Sequence, residues 1–214
     1  MLLDKGDRIV MIGDSITNAD RCLEDDTDQG LGKGYVSMSA ALFKSAAPGM
    51  GIRVINRGIG GNTIRDLCNR WQKDVLDLKP NWVSVCIGVN DVWQHFIKDH
   101  DPATLIGPDE FRDMLTDLVK QTMPLVKGMV LMTPFFLGDD ADDPKRIKML
   151  EYCELVRQVA SGFRRAVFVD LQEPLDAMMQ QIGEKELSAD RVHPYACGHM
   201  AVARAFLGAI GFEC

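Results

Sequence analysis

A chain of 214 residues with 46% hydrophobic and 26% charged residues has the balance of an ordinary soluble globular protein, and no shift in composition divides it, so one domain over residues 1–214 is expected. The formal net charge of -7 speaks against nucleic acid, for which a basic face is the usual footprint, and against anionic membrane surfaces. No apolar run reaches the ~20 residues of a membrane span, and the opening "MLLDKGDRIV" lacks the basic-then-apolar pattern of a secretory signal.

In chain order, five short apolar runs are expected to be strands: "RIVMI" (Arg8–Ile12), "IRVIN" (Ile52–Asn56), "WVSVCI" (Trp82–Ile87), "GMVLMT" (Gly128–Thr133) and "AVFVD" (Ala166–Asp170). They are nearly continuous in apolar residues, the pattern of strands buried on both faces. Helical patterns separate them: "YVSMSAALFKSA", "TIRDLCNRWQKDVLDL", "DEFRDMLTDLVKQTM", "KRIKMLEYCELVRQVASGF" and, last, "YACGHMAVARAFLGAI". Alternating β and α elements predict an α/β fold, a three-layer α/β/α sandwich around a five-stranded parallel sheet. The acidic runs "EDDTD" (Glu24–Asp28) and "DDADD" (Asp139–Asp143) lack the spacing of a calcium loop and are expected to be solvated loops.

Ligands of such sheets bind beyond the carboxyl ends of the strands. Four polar stretches fall there or before the last helix: "GDS" with Ser15, "RGIGGNT" (Arg57–Thr63), "GVND" (Gly88–Asp91) and "DRVHP" (Asp190–Pro194). Ser15 alone is ambiguous, because Ser and Asp also cap helices. A nucleophilic serine needs a base within hydrogen-bond reach and a group to orient that base. His193 and Asp190 can fill these roles. It also needs donors for a developing oxyanion. The backbone N–H groups of Ser15 and Gly61 and the amide of Asn90 are candidates. "GIGGNT" resembles a dinucleotide fingerprint less well, since Thr63 stands where a third glycine is wanted and "CIGVND" replaces the expected acidic strand end. No G-x-S-x-G elbow of the α/β-hydrolase type is present.

Six cysteines, at positions 22, 68, 86, 153, 197 and 214, form no CxxC pair and are expected to be reduced thiols of a cytoplasmic protein. His193, Cys197 and His199 are close in sequence, but their spacing fits no zinc pattern.

The blocks "GDSIT", "GIGGNT", "GVNDVW" and "DRVHP" together resemble the SGNH (GDSL-type) hydrolases, over about Arg8 to Phe212. Within that family the chain is most similar to intracellular bacterial acetyl xylan esterases. The resemblance implies a flavodoxin-like fold, no metal and no organic cofactor. It implies Ser15 as nucleophile, Asp190 and His193 as its partners, and Ser15, Gly61 and Asn90 as oxyanion donors. It also implies Asp14 and Asn62 as residues that hold the site. The expected reaction is removal of acetyl groups from acetylated xylo-oligosaccharides or similar small sugars. Alternatives are a short-chain carboxylesterase, lysophospholipase or thioesterase of the same family, or, in another class, an inactive glycan-binding module. Trp93, just after "GVND", is a candidate sugar-stacking residue. Ala189 departs from the tryptophan that similar esterases tend to carry before the aspartate, and Gly60 from a common serine. Relatives of this type self-associate, so a homo-oligomer is expected, with no nucleic acid or membrane partner.

Overall fold

The computed structural model describes residues 1–212; Glu213 and Cys214, the end of the apolar C-terminal stretch and the sixth cysteine, lie outside the described residues. Strands β1 (Arg8–Gly13), β2 (Arg53–Gly58), β3 (Trp82–Cys86), β4 (Gly128–Met132) and β5 (Ala166–Val169) form one parallel sheet in the order β2-β1-β3-β4-β5. The strand direction of travel reverses between β1 and β3, so the crevice of this flavodoxin-like order opens above the end of β1. Val10, Met11, Ile12 and Val83 are almost wholly inaccessible, as expected where helices cover both faces of a sheet. The second strand begins one residue later than the apolar run and extends to Gly58, because Arg57 and Gly58 pair with Ile12 and Gly13.

The helices are α1 (Ser15–Asn18), α2 (Tyr35–Ala46), α3 (Ile64–Asp74), α4 (Val89–Trp93), α5 (Pro108–Thr122), α6 (Pro144–Ser161), α7 (Gln172–Ile182), α8 (Glu184–Leu187) and α9 (Ala196–Ala209). Helices α2 and α9 pack together on one side of the sheet, and α3, α5 and α6 on the other, giving the three-layer sandwich. Local chemistry sets the starts. At α3 the Asp66 carboxylate accepts from the Thr63 N–H and hydroxyl, both at 2.8 Å. At α6 Asp143 accepts from Lys145 N–H at 2.8 Å, with Pro144 in the first turn, where a missing N–H costs nothing.

The acidic runs are loops but not merely solvated. Asp143 is that helix cap, and Asp26 forms a two-pronged pair with Arg57. Helix α7 was not among the expected elements; its apolar side is Leu175, Met178, Met179 and Ile182, and Gly183 follows its end. Among the described residues no helix is long and apolar enough to cross a membrane.

Candidate active site

Chain direction changes sharply at the end of β1. A Cβ on Gly13 would stand 2.1 Å from the Cys86 carbonyl oxygen, so only glycine lets the turn sit so close to β3. Asp14 then caps α1, its Oδ1 accepting from Ile16 N–H at 2.9 Å. The cap is therefore Asp14 and not Ser15. The Ser15 hydroxyl, in the first helical position, is left for another partner, His193 Nε2 at 2.8 Å.

That histidine belongs to a tight turn before α9. His193 Nδ1 lies 2.7 Å from Asp190 Oδ2, while Asp190 Oδ1 accepts from the N–H groups of Val192 at 2.9 Å and His193 at 2.8 Å. Partial burial pushes the Asp190 carboxyl up, but those N–H groups and the imidazole outweigh it and hold the group well below the usual carboxylate range. An ionised Asp190 fixes the hydrogen on Nδ1 and leaves Nε2 as the acceptor facing Ser15. Ser188, which the sequence reading passed over, braces the turn. Its hydroxyl is 2.9 Å from His193 O and 3.1 Å from Asp190 Oδ1.

The Ile59–Asn62 loop after β2 lies beside Ser15: a Cβ on Gly60 would be 3.9 Å from Ser15 Cβ, ordinary contact. Gly61 has φ +79°, a left-handed conformation that glycine adopts without strain. Neither the Ser15 N–H nor the Gly61 N–H has a backbone partner among the described residues. Asn90 Nδ2 donates one hydrogen to Asn62 O at 2.9 Å, and its second hydrogen has no partner among the described residues. Arg70 anchors this loop and was also missed. It donates to Asn62 Oδ1 (2.7 Å), Arg57 O (2.8 Å) and Gly13 O (3.0 Å), and pairs with Asp74 (2.8 Å). One guanidinium thus ties the ends of β1 and β2 to the Ile59–Asn62 loop. In sequence it is one more polar residue on an amphipathic helix, with no signal to distinguish it.

Burial raises Asp14 to about 7 and Asp91 to about 7. Asp91 Oδ1 accepts from Ile64 N–H at 3.0 Å, and its buried Oδ2 has no partner among the described residues. Ser15 and His193 line a cleft of about 550 Å³ together with Asp20, Lys33, Tyr195 and His199. Trp93 does not line that cleft. Its ring packs 6.3 Å from Phe136 and beneath Lys145 Nζ at 4.4 Å. Ala189 is exposed next to Asp190. Among the described residues no three His, Cys, Asp or Glu side chains are placed to hold a metal ion. Cys197 turns toward Glu186 O at 3.7 Å, and His199 Nδ1 accepts from Tyr35 N–H.

A serine, a histidine and a carboxylate joined by two short hydrogen bonds at the crevice of a parallel sheet, beside unpaired N–H donors, have the geometry of a serine acyl hydrolase. The chain belongs to the GDSL-like lipase/acylhydrolase family, whose model matches residues 11–201. The acetylxylan esterase of Geobacillus stearothermophilus is 42% identical over 215 residues, covering 100% of this chain and 98% of that protein. The crystal structure of that enzyme, Axe2, superposes with a TM-score of 0.95 at 42% identity, over 100% of this chain and 98% of the other. Its structures include catalytic mutants in which a serine, an aspartate and a histidine are replaced by alanine, and another in which a tryptophan is replaced by isoleucine. LAE5, an α/β hydrolase enzyme from the metagenome of Lake Arreo, is 39% identical with a TM-score of 0.95, over 99% of this chain and 98% of that one.

Proposed function

We propose that the protein is a serine esterase that removes acetyl groups from acetylated xylo-oligosaccharides or similar small sugars. Ser15 Oγ attacks the ester carbonyl as His193 Nε2 takes its proton. The tetrahedral oxyanion rests against the N–H groups of Ser15 and Gly61 and the free Asn90 amide hydrogen. Asp190 stabilises the imidazolium, which then protonates the departing sugar oxygen. Water, activated by His193, releases acetate and restores Ser15. Asp14 and Asn62 hold the turn and the loop on which these groups sit. The chemistry draws on no metal or organic cofactor.

The observation that supports this reading most is the Ser15–His193–Asp190 hydrogen-bond chain, at 2.8 and 2.7 Å, in a chain 42% identical to an acetylxylan esterase over its whole length. The family resemblance extends the reading to a cytoplasmic enzyme that works as a homo-oligomer. Acetate release from acetylated xylo-oligosaccharides by the wild type and by Ser15→Ala tests the reading. Fast release abolished by the substitution is expected. Release that survives Ser15→Ala refutes the nucleophile. Hydrolysis of simple esters with no acetate release from the acetylated sugar refutes the substrate and favours the short-chain carboxylesterase.

A further inference from the structure

The proposed acyl transfer uses only Ser15 and His193 among the side chains that line the 550 Å³ cleft, a volume in the range of small-molecule sites, roughly 300–1,000 Å³. The rest of the lining has a character of its own. Tyr195, two residues beyond His193, is 48% exposed, although its backbone is pinned by Tyr195 N–H donating to Leu187 O at 2.8 Å. An aromatic ring on a fixed backbone, left open to solvent in a cleft, is a ready flat surface. Tyr195 immediately precedes α9, and His199 N–H bonds its carbonyl oxygen at 3.0 Å, which sets the two residues one turn apart at the start of that helix, both lining the cleft.

The orientation of His199 is set from behind. Its Nδ1 accepts from Tyr35 N–H at 3.3 Å. A Cβ on Gly34 would stand 2.9 Å from its Cε1 and 3.0 Å from its Nδ1, so that edge of the ring lies flush on the Gly34 backbone. The hydrogen must then be on Nε2, which has no hydrogen-bond partner among the described residues. Burial, and to a smaller extent the charge of His193, lower the His199 pKa to about 4. The ring therefore stays neutral at pH 7, and its Nε2–H is an uncharged donor of fixed direction. The cleft is also lined by the exposed Lys33 and Asp20, an ion pair at 3.1 Å, offering a donor and an acceptor that water already solvates.

We infer that the face formed by Tyr195 and His199 is the subsite for the leaving sugar, with the Tyr195 ring under the apolar face of a pyranose and His199 Nε2–H donating to one of its oxygens. The inference rests on the sugar-esterase reading above and deepens it. Flat aromatic surface with a few directed polar groups suits a neutral sugar, which presents C–H bonds on its faces and hydroxyls at its rim.

The test compares two acetate esters with the same acyl group, an acetylated xylo-oligosaccharide and ethyl acetate, in the wild type and in Tyr195→Ala, Tyr195→Phe and His199→Leu. The ratio of kcat/KM for the sugar to kcat/KM for ethyl acetate should fall about tenfold in Tyr195→Ala and in His199→Leu, the loss expected for one good contact. Tyr195→Phe, which keeps the ring, should retain most of the ratio. Binding of unacetylated xylobiose to Ser15→Ala, measured by calorimetry, should weaken in parallel when either substitution is added. Ratios within about twofold of the wild type in both variants, with the wild type favouring the sugar, would overturn the subsite and leave the esterase reading standing. Equal losses on both esters would make the two residues structural and overturn it as well. A wild type without preference for the sugar would remove the sugar reading and the subsite together. Because Tyr195 is exposed, its variants fold regardless of the fate of His199→Leu.

Discussion

Replacing Arg70 by methionine tests how the Ile59–Asn62 loop, proposed to carry an oxyanion donor, is held in place. The guanidinium reaches Asn62 Oδ1, Arg57 O, Gly13 O and Asp74, and its side chain is only 14% exposed. Methionine fills much of the volume and makes none of these bonds. The carbonyl groups can recover water in part, so a stability loss of about 3 kcal/mol is expected, well below the sum of four charged hydrogen bonds. The kinetic effect passes through Asn62, whose carbonyl oxygen is the acceptor that orients Asn90. Loss of an oxyanion donor outright costs ~10²–10³ in kcat; a loosened one should cost about tenfold, with KM changed by less than about threefold. Steady-state acetate release at a temperature where both proteins are folded, checked by circular dichroism, gives kcat and KM. The decisive experiment is a double-mutant cycle with Asn90→Ala. If Arg70 acts through the Asn62–Asn90 contact, removing it costs less than about twofold once Asn90 is gone. Additive losses, or a fall in melting temperature with kcat unchanged, would refute Arg70 as a positioning residue.

Other consequences follow from the same geometry. Asn90→Ala should lower kcat by ~10²–10³; a loss under about threefold would take Asn90 out of the oxyanion site. Asp190→Asn keeps the shape of the turn but reverses which His193 nitrogen carries hydrogen, so kcat should fall ~10⁴-fold, and activity within tenfold of the wild type would refute that role. Ser188→Ala removes the brace on the Asp190–His193 turn and should cost about 1–2 kcal/mol of stability, read by denaturant unfolding. Burial raises Asp91 from 3.8 to about 7; the unfolded carboxyl ionises near pH 4 while the folded one stays protonated, so its contribution to stability is full below pH 4 and declines as pH rises through 7. Asp91→Asn should flatten that decline by up to about 4 kcal/mol, seen as a smaller difference in melting temperature between pH 4.5 and pH 8; equal slopes would show that Asp91 is ionised in the folded protein.

Much of this architecture is legible in the chain because it rests on patterns of short range. The five apolar runs mark the strands to within a residue or two: the three inner strands are buried on both faces, which demands continuous Val, Ile and Met, while the edge strands β2 and β5 keep enough apolar residues on their inner side to be recognised. The tract "YVSMSAALFKSA" coincides with α2, Tyr35–Ala46. Ser15, Gly61, Asn90 and the Asp190–His193 pair stand out because each follows a strand or precedes the last helix, where polar residues have no packing reason to gather. Helix α7 is less legible: Leu175, Met178, Met179 and Ile182 have helical spacing, but Pro174 in "LQEPLD" weakens the helical pattern of its first turn. Arg70 and Ser188 were illegible for a deeper reason. Their partners are loop carbonyls and a carboxylate, and sequence does not say which loops meet. The same holds for Tyr195 and His199, whose part in the cleft depends on α9 packing against the start of α2.

The Ser15–His193 hydrogen bond joins residues 178 positions apart. Strand β1 and its serine leave the ribosome early, whereas the turn that carries the base emerges almost last. A chain that has completed its sheet but not docked its last turn and helix lacks the histidine beside Ser15. Recovery of activity after dilution from denaturant therefore reports the docking of the final helix. It should lag behind the return of secondary structure by the time that this last assembly step requires.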